Sequence, residues 1–248
     1  MPENEVSLKL KDEKMSILSS AYWKEAAKNL KDIKMIAFAS LIVALRVAVK
    51  FIKIPVDLGV EVSFDCYINS LGALVYGPLT GLLVGAVSDT LGCLLHPSGP
   101  YFFPFIFVEM SSSFIFALFL WKRRLSAPRV LLTKFTVNFI CNIIMTSLLM
   151  KPYMNIFYGK GYSFVNMTRI VKNLVVFPVE SVLITLILAA LIPPLKSIGL
   201  IDKNRENISI RKKDIVLTVA LFLLSVGLVL FYVFWLKDFI AEHNIKFW

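Results

Sequence analysis

The stretch GPLTGLLVGAVSDTLGCLLHPSGPYFFP, Gly77 to Pro104, decides the fold. Its first part is an apolar run of membrane-helix length in which Gly77, Gly81 and Gly85 recur every fourth residue. Such a stripe lets a neighbouring helix backbone approach closely. The next position on it is Asp89. A carboxylate on a packed face points into a bundle or a wet cavity, because facing lipid would cost several kcal/mol. The helix then breaks. His96, Pro97, Ser98, Gly99 and Pro100 cannot all be helical, and Tyr101, Phe102 and Phe103 follow at once, so the pattern predicts a stiff turn carrying aromatic rings. That is a lid over a cavity ending at Asp89.

The 248 residues are 57% hydrophobic and 18% charged, whereas a soluble domain is roughly 45–50% apolar. The chain therefore reads as an integral membrane protein. Seven apolar runs, at 35–52, 62–76, 79–95, 103–121, 130–150, 170–192 and 215–236, are long enough, or nearly so, to cross about 30 Å of hydrocarbon. The second is short and carries Asp65. Barrel-type alternation is absent, so the spans are helices. The expected fold is all-α, a polytopic membrane bundle with a six-helix core at 35–192 and one additional transmembrane helix at 215–236.

The net charge of +10 is placed for a membrane rather than for nucleic acid. Seven lysines precede the first span, five basic residues lie between Trp121 and Lys134, and six lie between Pro193 and Asp214. They fall on alternate sides of successive spans, which predicts a cell-membrane, multi-pass protein with a cytoplasmic N-terminus and outward loops at 53–61, 96–102 and 151–168. Residues 1–34 form a charged cytoplasmic segment without a signal-peptide core. Within it Met15, Leu18, Tyr22 and Ala26 recur at helical spacing beside Lys24, Lys28 and Lys31. That is a surface helix, lying on the inner leaflet or simply solvated. Residues 193–214 form a basic connector, 215–236 an uncharged anchor, and 237–248 a tail.

In the first span Ala37, Ser40, Ala44 and Ala48 share one small-residue face, within about 80° at 100° per residue. Arg46 projects from the opposite side, either inward or snorkelling to an interface. The segment 53–65, with Pro55 and Gly59 interrupting alternating valines, reads as an extended cap or hairpin. Tyr76-Gly77-Pro78 makes a tight turn. Glu109 has no basic residue in its own helix and needs a partner elsewhere. Asn138 and Asn142 lie one turn apart, with Lys134 a turn further in. In the sixth span Arg169, Lys172, Asn173, Val176 and Glu180 share about 100° of arc, and Pro178 should bend the helix.

Enzymatic and metal chemistry find little support. There is no phosphate loop of the GxxxxGK type, no serine elbow, and only His96 and His243 among histidines, so neither nucleotide hydrolysis nor a metal site is expected. Cys66, Cys93 and Cys141 read as small buried hydrophobes.

ALR at Ala44–Arg46, YGPLTGLLVGAVSDTLG at Tyr76–Gly92, HPSGPYFFP at His96–Pro104 and TRIVKNLVVFPVE at Thr168–Glu180 resemble the substrate-binding subunits of energy-coupling-factor (ECF) vitamin transporters, folate-specific ones among them. The resemblance implies a six-helix S component whose outer loops close over one vitamin. It also implies docking, through Ser40, Ala44 and Ala48, onto a membrane coupling subunit driven by two cytoplasmic ATPases. The acidic outer loop (Asp57, Glu61, Asp65) and the seventh span depart from the family pattern, leaving folate or a related pterin or vitamin as ligand. A pterin wants an aromatic slot and an acceptor for its donor edge, and a glutamate tail wants cations. Tyr101 and Phe102 suit the ring, Asp89, Asn142 or Asn173 its edge, and Arg46, Arg169 and Lys172 the carboxylates. The rival readings are a proton-coupled secondary transporter using Asp89, Glu109 and Glu180, and a membrane-embedded enzyme.

Overall fold

The structure, a computed structural model, describes residues 17–203 except 53, 57–59, 63, 98 and 162–166, together with isolated positions up to 231. In chain order the elements are α1 (Ser20–Asn29), α2 (Ile33–Lys50), the strands β1 (Ile54–Val56) and β2 (Val60–Val62), and α3 (Asp65–Leu95). They continue with α4 (Phe105–Leu120), α5 (Ala127–Val137), a π-helical segment (Asn138–Met145), α6 (Thr146–Tyr158) and α7 (Met167–Ser197). The protein is an all-helical membrane bundle apart from the short hairpin, in which Ile54 faces Val62 and Val56 faces Val60. Ala127–Tyr158 and Val176–Ser197 are long and apolar enough to cross a membrane, as is Asp65–Leu95 counted through its break at Gly77, and Phe105–Leu120 is a shorter apolar helix.

The glycine stripe does what its spacing predicts. A Cβ at Gly81 would sit 3.3 Å from the Ser113 carbonyl oxygen, and one at Gly85 would sit 2.8 Å from the Glu109 carbonyl oxygen and 2.9 Å from Met110 Cα. Two helix backbones, α3 and α4, thus touch along that line. Gly77 has a separate duty, with φ 81° and ψ −177°, a conformation essentially reserved for glycine. Equal heights on the two sides of Gly77 meet the same residues of α4. Asp65 and Glu109 share the Arg46 guanidinium while Gly85 abuts Glu109. Asn69 bonds Ser113 while Gly81 abuts Ser113. Hence α3 folds back on itself at Gly77, and Pro78 opens its second arm, a first-turn position that tolerates the missing N–H. At 1.5 Å per residue the arms span about 18 and 27 Å. The short one is almost wholly enclosed, with Ser70, Ala73 and Tyr76 at 0% exposure.

The two faces of α2 separate as expected. Phe38, Ile42, Arg46 and Val47 are buried, whereas Ala37, Ser40, Ala44 and Ala48 are exposed.

The N-terminal helix departs from a stripe laid on lipid. Tyr22 and Ala26 are fully buried against Trp121 in a small cluster of their own, while Leu18 is 94% exposed. Met15 lies outside the described residues. The Tyr22 ring meets Trp121 edge-on at 4.9 Å, and burial pushes its hydroxyl up to about 12. The connector also differs from a free linker. α7 runs through Pro193 and Pro194 to Ser197, and the chain reverses at Gly199, φ 73°. Arg205 then donates to the carbonyls of Leu120 at 2.6 Å and Arg123 at 3.1 Å. A cation at a helix C-terminus meets unpaired carbonyls and the negative end of the dipole. Most of 215–236, and all of 237–248, lie outside the described residues; the described positions Val216, Val219, Leu223, Leu224 and Phe231 are helical and more than half accessible or nearly so.

Substituting Gly77→Ala should destabilise the bundle by about 2–4 kcal/mol, combining backbone strain with overpacking, because the added methyl would lie 2.8 Å from the Trp121 ring. Unfolding in a denaturing detergent series measures this, and a midpoint unchanged from the parent would overturn the hairpin turn.

Candidate functional site

A cavity of about 360 Å³ opens among the helices. Lys50 of α2 enters its wall from one side, Asp65 and Cys66 from the start of α3, and Val108, Glu109 and Ser112 from α4. The opposite wall is Lys134 and Val137 of α5, Asn142 of the π-helical segment, Thr146 of α6, and Asn173, Val176 and Glu180 of α7.

Its charges are paired within the chain. Arg46, with 0% of its side chain exposed, holds Asp65 through Nη2–Oδ2 at 2.7 Å and Glu109 through Nη2–Oε2 at 2.5 Å. Its Nε donates to Asp65 Oδ1 at 2.8 Å and its Nη1 to Ser113 Oγ at 3.2 Å. Lys134, also buried, holds Glu180 at 2.9 Å. Lys50 is the loosest of the three cations, with its Nζ 3.4 Å from Asp89 Oδ1 and 3.4 Å from the Ser88 carbonyl. Its stem crosses Gly92, where a Cβ would come within 2.5 Å of Lys50 Cδ.

The amides form a ladder. Asn142 Nδ2 donates to Asn138 Oδ1 at 3.1 Å and to Asn173 Oδ1 at 3.0 Å. Asn138 and Asn142 meet because they are four residues apart on one helix face, within a stretch where the helix widens: Thr146 N–H bonds the Cys141 carbonyl, five residues back. π-helical departures from the α register gather at functional sites. Neutral donors and acceptors thus stand opposite a carboxylate wall, an arrangement suited to reading the polar edge of a heterocycle.

Of the residues singled out in the sequence, Asn142 and Asn173 lie together in the cavity wall. Asp89 stands behind it and acts through Lys50. Arg46, expected to face ligand carboxylates, pairs with Asp65 and Glu109 and so supplies the partner Glu109 required. Phe102 packs in an aromatic cluster with Phe105 at 5.6 Å, Tyr153 at 5.8 Å and Phe157 at 6.2 Å, and Tyr101 beside it is 45% exposed. This cluster closes the α3–α4 turn against α6. Tyr153 lies seven residues beyond Thr146 on one helix, about 10 Å further along, so the rings sit above the cavity and outside its wall. The side chains of Arg169 and Lys172 lie outside the described residues. Sequence reasoning passed over Lys50, Lys134 and Asp65 as cavity residues, and gave Glu109 and Glu180 a role only in the proton-coupled reading. The usable signal was that each is ionisable within or at the end of an apolar run. Among the described residues no cluster of His, Cys, Asp and Glu could hold a metal ion.

The described residues thus form a helical membrane bundle with a mixed-charge cavity and an exposed small-residue face. The chain belongs to the family of ECF transporter substrate-specific components, whose model matches residues 34–188. It is 25% identical over 156 residues to the folate transporter FolT of Clostridium novyi, covering 62% of this chain and 88% of that one. To the folate transporter FolT of Leuconostoc mesenteroides it is 28% identical over 151 residues, covering 60% and 81%. In structure it is similar to FolT bound with folic acid, with a TM-score of 0.54 at 25% identity, covering 61% of this chain and 89% of the other.

Replacing Arg46→Met should cost about 2–3 kcal/mol, because two partly buried carboxylates, 17% and 30% exposed, lose their counter-charge, less than the full cost of breaking a fully buried pair. Adding Asp65→Asn and Glu109→Gln to Arg46→Met should restore most of that stability. Thermal unfolding of the single and triple variants reads the difference, and a single variant as stable as the parent would refute the structural role.

Proposed function

We propose that the protein captures folate, or a related pterin or vitamin, from outside the cell and delivers it through a membrane coupling subunit driven by two cytoplasmic ATPases. Its N-terminus then lies in the cytoplasm, and the chain acts as a binding subunit rather than an enzyme. The observation that carries the reading is the cavity of about 360 Å³, walled by donors and acceptors from every core helix, in a family member similar to folate transporters. That volume falls in the range of roughly 300–1,000 Å³ usual for small-molecule sites.

In this reading Asn142 and Asn173 pair the polar edge of the ring. Arg169 and Lys172, on the first turns of α7, receive the tail carboxylates, and Tyr101 and Phe102 close over the mouth. Asp89 and Arg46 act one step back, through Lys50 and through Asp65 with Glu109. Ser40, Ala44 and Ala48 form the docking row for the coupling subunit, and their exposure supports that assignment.

The isolated chain should bind one folate in detergent without nucleotide, and Asn142→Ala should weaken binding by about ten-fold or more, since a lost hydrogen bond in a buried site costs about 1–3 kcal/mol. Titration calorimetry measures both; failure of folates and pterins alike to bind the parent chain would sink the assignment. Docking is tested separately. Ala44→Trp should leave ligand affinity near that of the parent while abolishing uptake and co-purification with the coupling subunit, because a close helix contact has no room for an indole. Lost ligand binding with intact association would assign the small-residue row to the chain's own packing.

A further inference from the structure

α1 precedes the segment matched by the family, which begins at residue 34, and it is held rigidly. Its inward face buries Tyr22 and Ala26 against Trp121. At one end Asn29 Nδ2 donates to the Tyr76 carbonyl at 3.1 Å, at the hairpin turn of α3, and along its flank Lys122 pairs with Glu25. The opposite face carries Lys24 and Lys28, one turn apart and about 40° from each other, and Lys31 follows in the turn just past the helix; all three are exposed. Among the described residues no carboxylate pairs with any of them.

The remaining sides of α1 indicate what covers those lysines. Trp23 stacks on Phe114 at 6.2 Å with the rings 22° apart. Phe114 lies six residues inside the α4 terminus at Leu120, about 9 Å along the helix, so Trp23 turns toward the apolar band of the bundle. Beyond α1, Ile33, the first residue of α2, is 82% exposed. A row that met only water, or only an acidic protein surface, would set Ile33 and the side of the indole against polar surroundings. A phospholipid offers both partners in one molecule, phosphate for the lysines and, deeper, acyl chain for Ile33 and the indole.

We propose that Lys24, Lys28 and Lys31 form a binding surface for anionic phospholipid headgroups, with α1 as its fixed support. The surface requires only that the bundle spans a membrane and is independent of which vitamin the cavity holds. Each lysine near an anionic surface contributes about five-fold in partitioning, so the row contributes about a hundred-fold.

The test uses the full chain in neutral detergent doped with either phosphatidylglycerol or phosphatidylcholine, read by native mass spectrometry of retained lipid and by the thermal midpoint. Phosphatidylglycerol should be retained and should raise the midpoint at mole fractions where phosphatidylcholine does neither, with the preference weakening in high salt. The variant K24Q/K28Q/K31Q should need about a hundred-fold more phosphatidylglycerol for the same effect, while K151Q/K160Q, from exposed positions at the far end, should behave as the parent. Should the glutamine variant fail to fold, K24R/K28R/K31R should fold and keep the preference. Three results would overturn the proposal: no preference in the parent chain, an unchanged preference in K24Q/K28Q/K31Q, or a lysine dependence that arises in phosphatidylcholine only when coupling and ATPase subunits are added.

Discussion

A guanidinium with no solvent contact, Arg46, held at 2.7 Å by Asp65 and at 2.5 Å by Glu109, ties three helices together at one height. The guanidinium taken alone would be untenable there, since burying an unpaired ion costs several kcal/mol. The three must therefore coexist, and the ends of α2, α3 and α4 must converge for them to do so. Below this level the network continues: Ser113 Oγ donates to Asn69 Oδ1 at 2.8 Å, and Asn69 Nδ2 to Ser112 Oγ at 3.3 Å. A satisfied buried network of this kind rigidifies its surroundings. Rigidity here keeps one wall of the cavity in place before any ligand arrives.

The other wall is built differently. α5, the π-helical segment and α6 run as one stretch, Ala127–Tyr158, and Asn142 on it donates to Asn173 of α7 at 3.0 Å. Lys134 and Glu180, paired at 2.9 Å, lock the same two helices a turn or two below. The cavity thus lies between a charged triad on one side and an amide ladder over an ion pair on the other. Lys50 stands at the join, held by contacts of 3.4 Å; contacts of that length hold it less firmly than the shorter pairs hold Arg46 and Lys134.

Both segments outside the family match pack at the end of the bundle marked by Tyr76 and Trp121. α1 buries Tyr22 there, and Arg205 bonds the Leu120 carbonyl. Burial lowers the Arg205 guanidinium to about 10, yet it stays protonated at neutral pH and serves helix carbonyls that water would otherwise cover. The additions close that end of the bundle and leave the cavity at the other.

Much of this was legible in the sequence, for definite reasons. Hydropathy over a membrane-length window reports burial in lipid directly, so the helical bundle followed from composition. Fourfold glycine spacing reports a close helix contact whatever the partner, and Gly81 and Gly85 make one with α4. The outward row Ser40, Ala44, Ala48 and the inward Arg46 followed from rotation about a single helix. What the sequence could not supply was pairing between elements. That Arg46 meets Asp65 and Glu109, that Asp89 meets Lys50, and that Tyr22 packs on Trp121 all depend on distances between helices far apart in the chain. The π-helical register at Asn138–Met145 likewise has no mark in residue type or spacing. Local periodicity states which face of a helix is polar; only the tertiary structure decides which charge that face meets, because a buried ion takes whichever counter-ion the packing brings within about 3 Å.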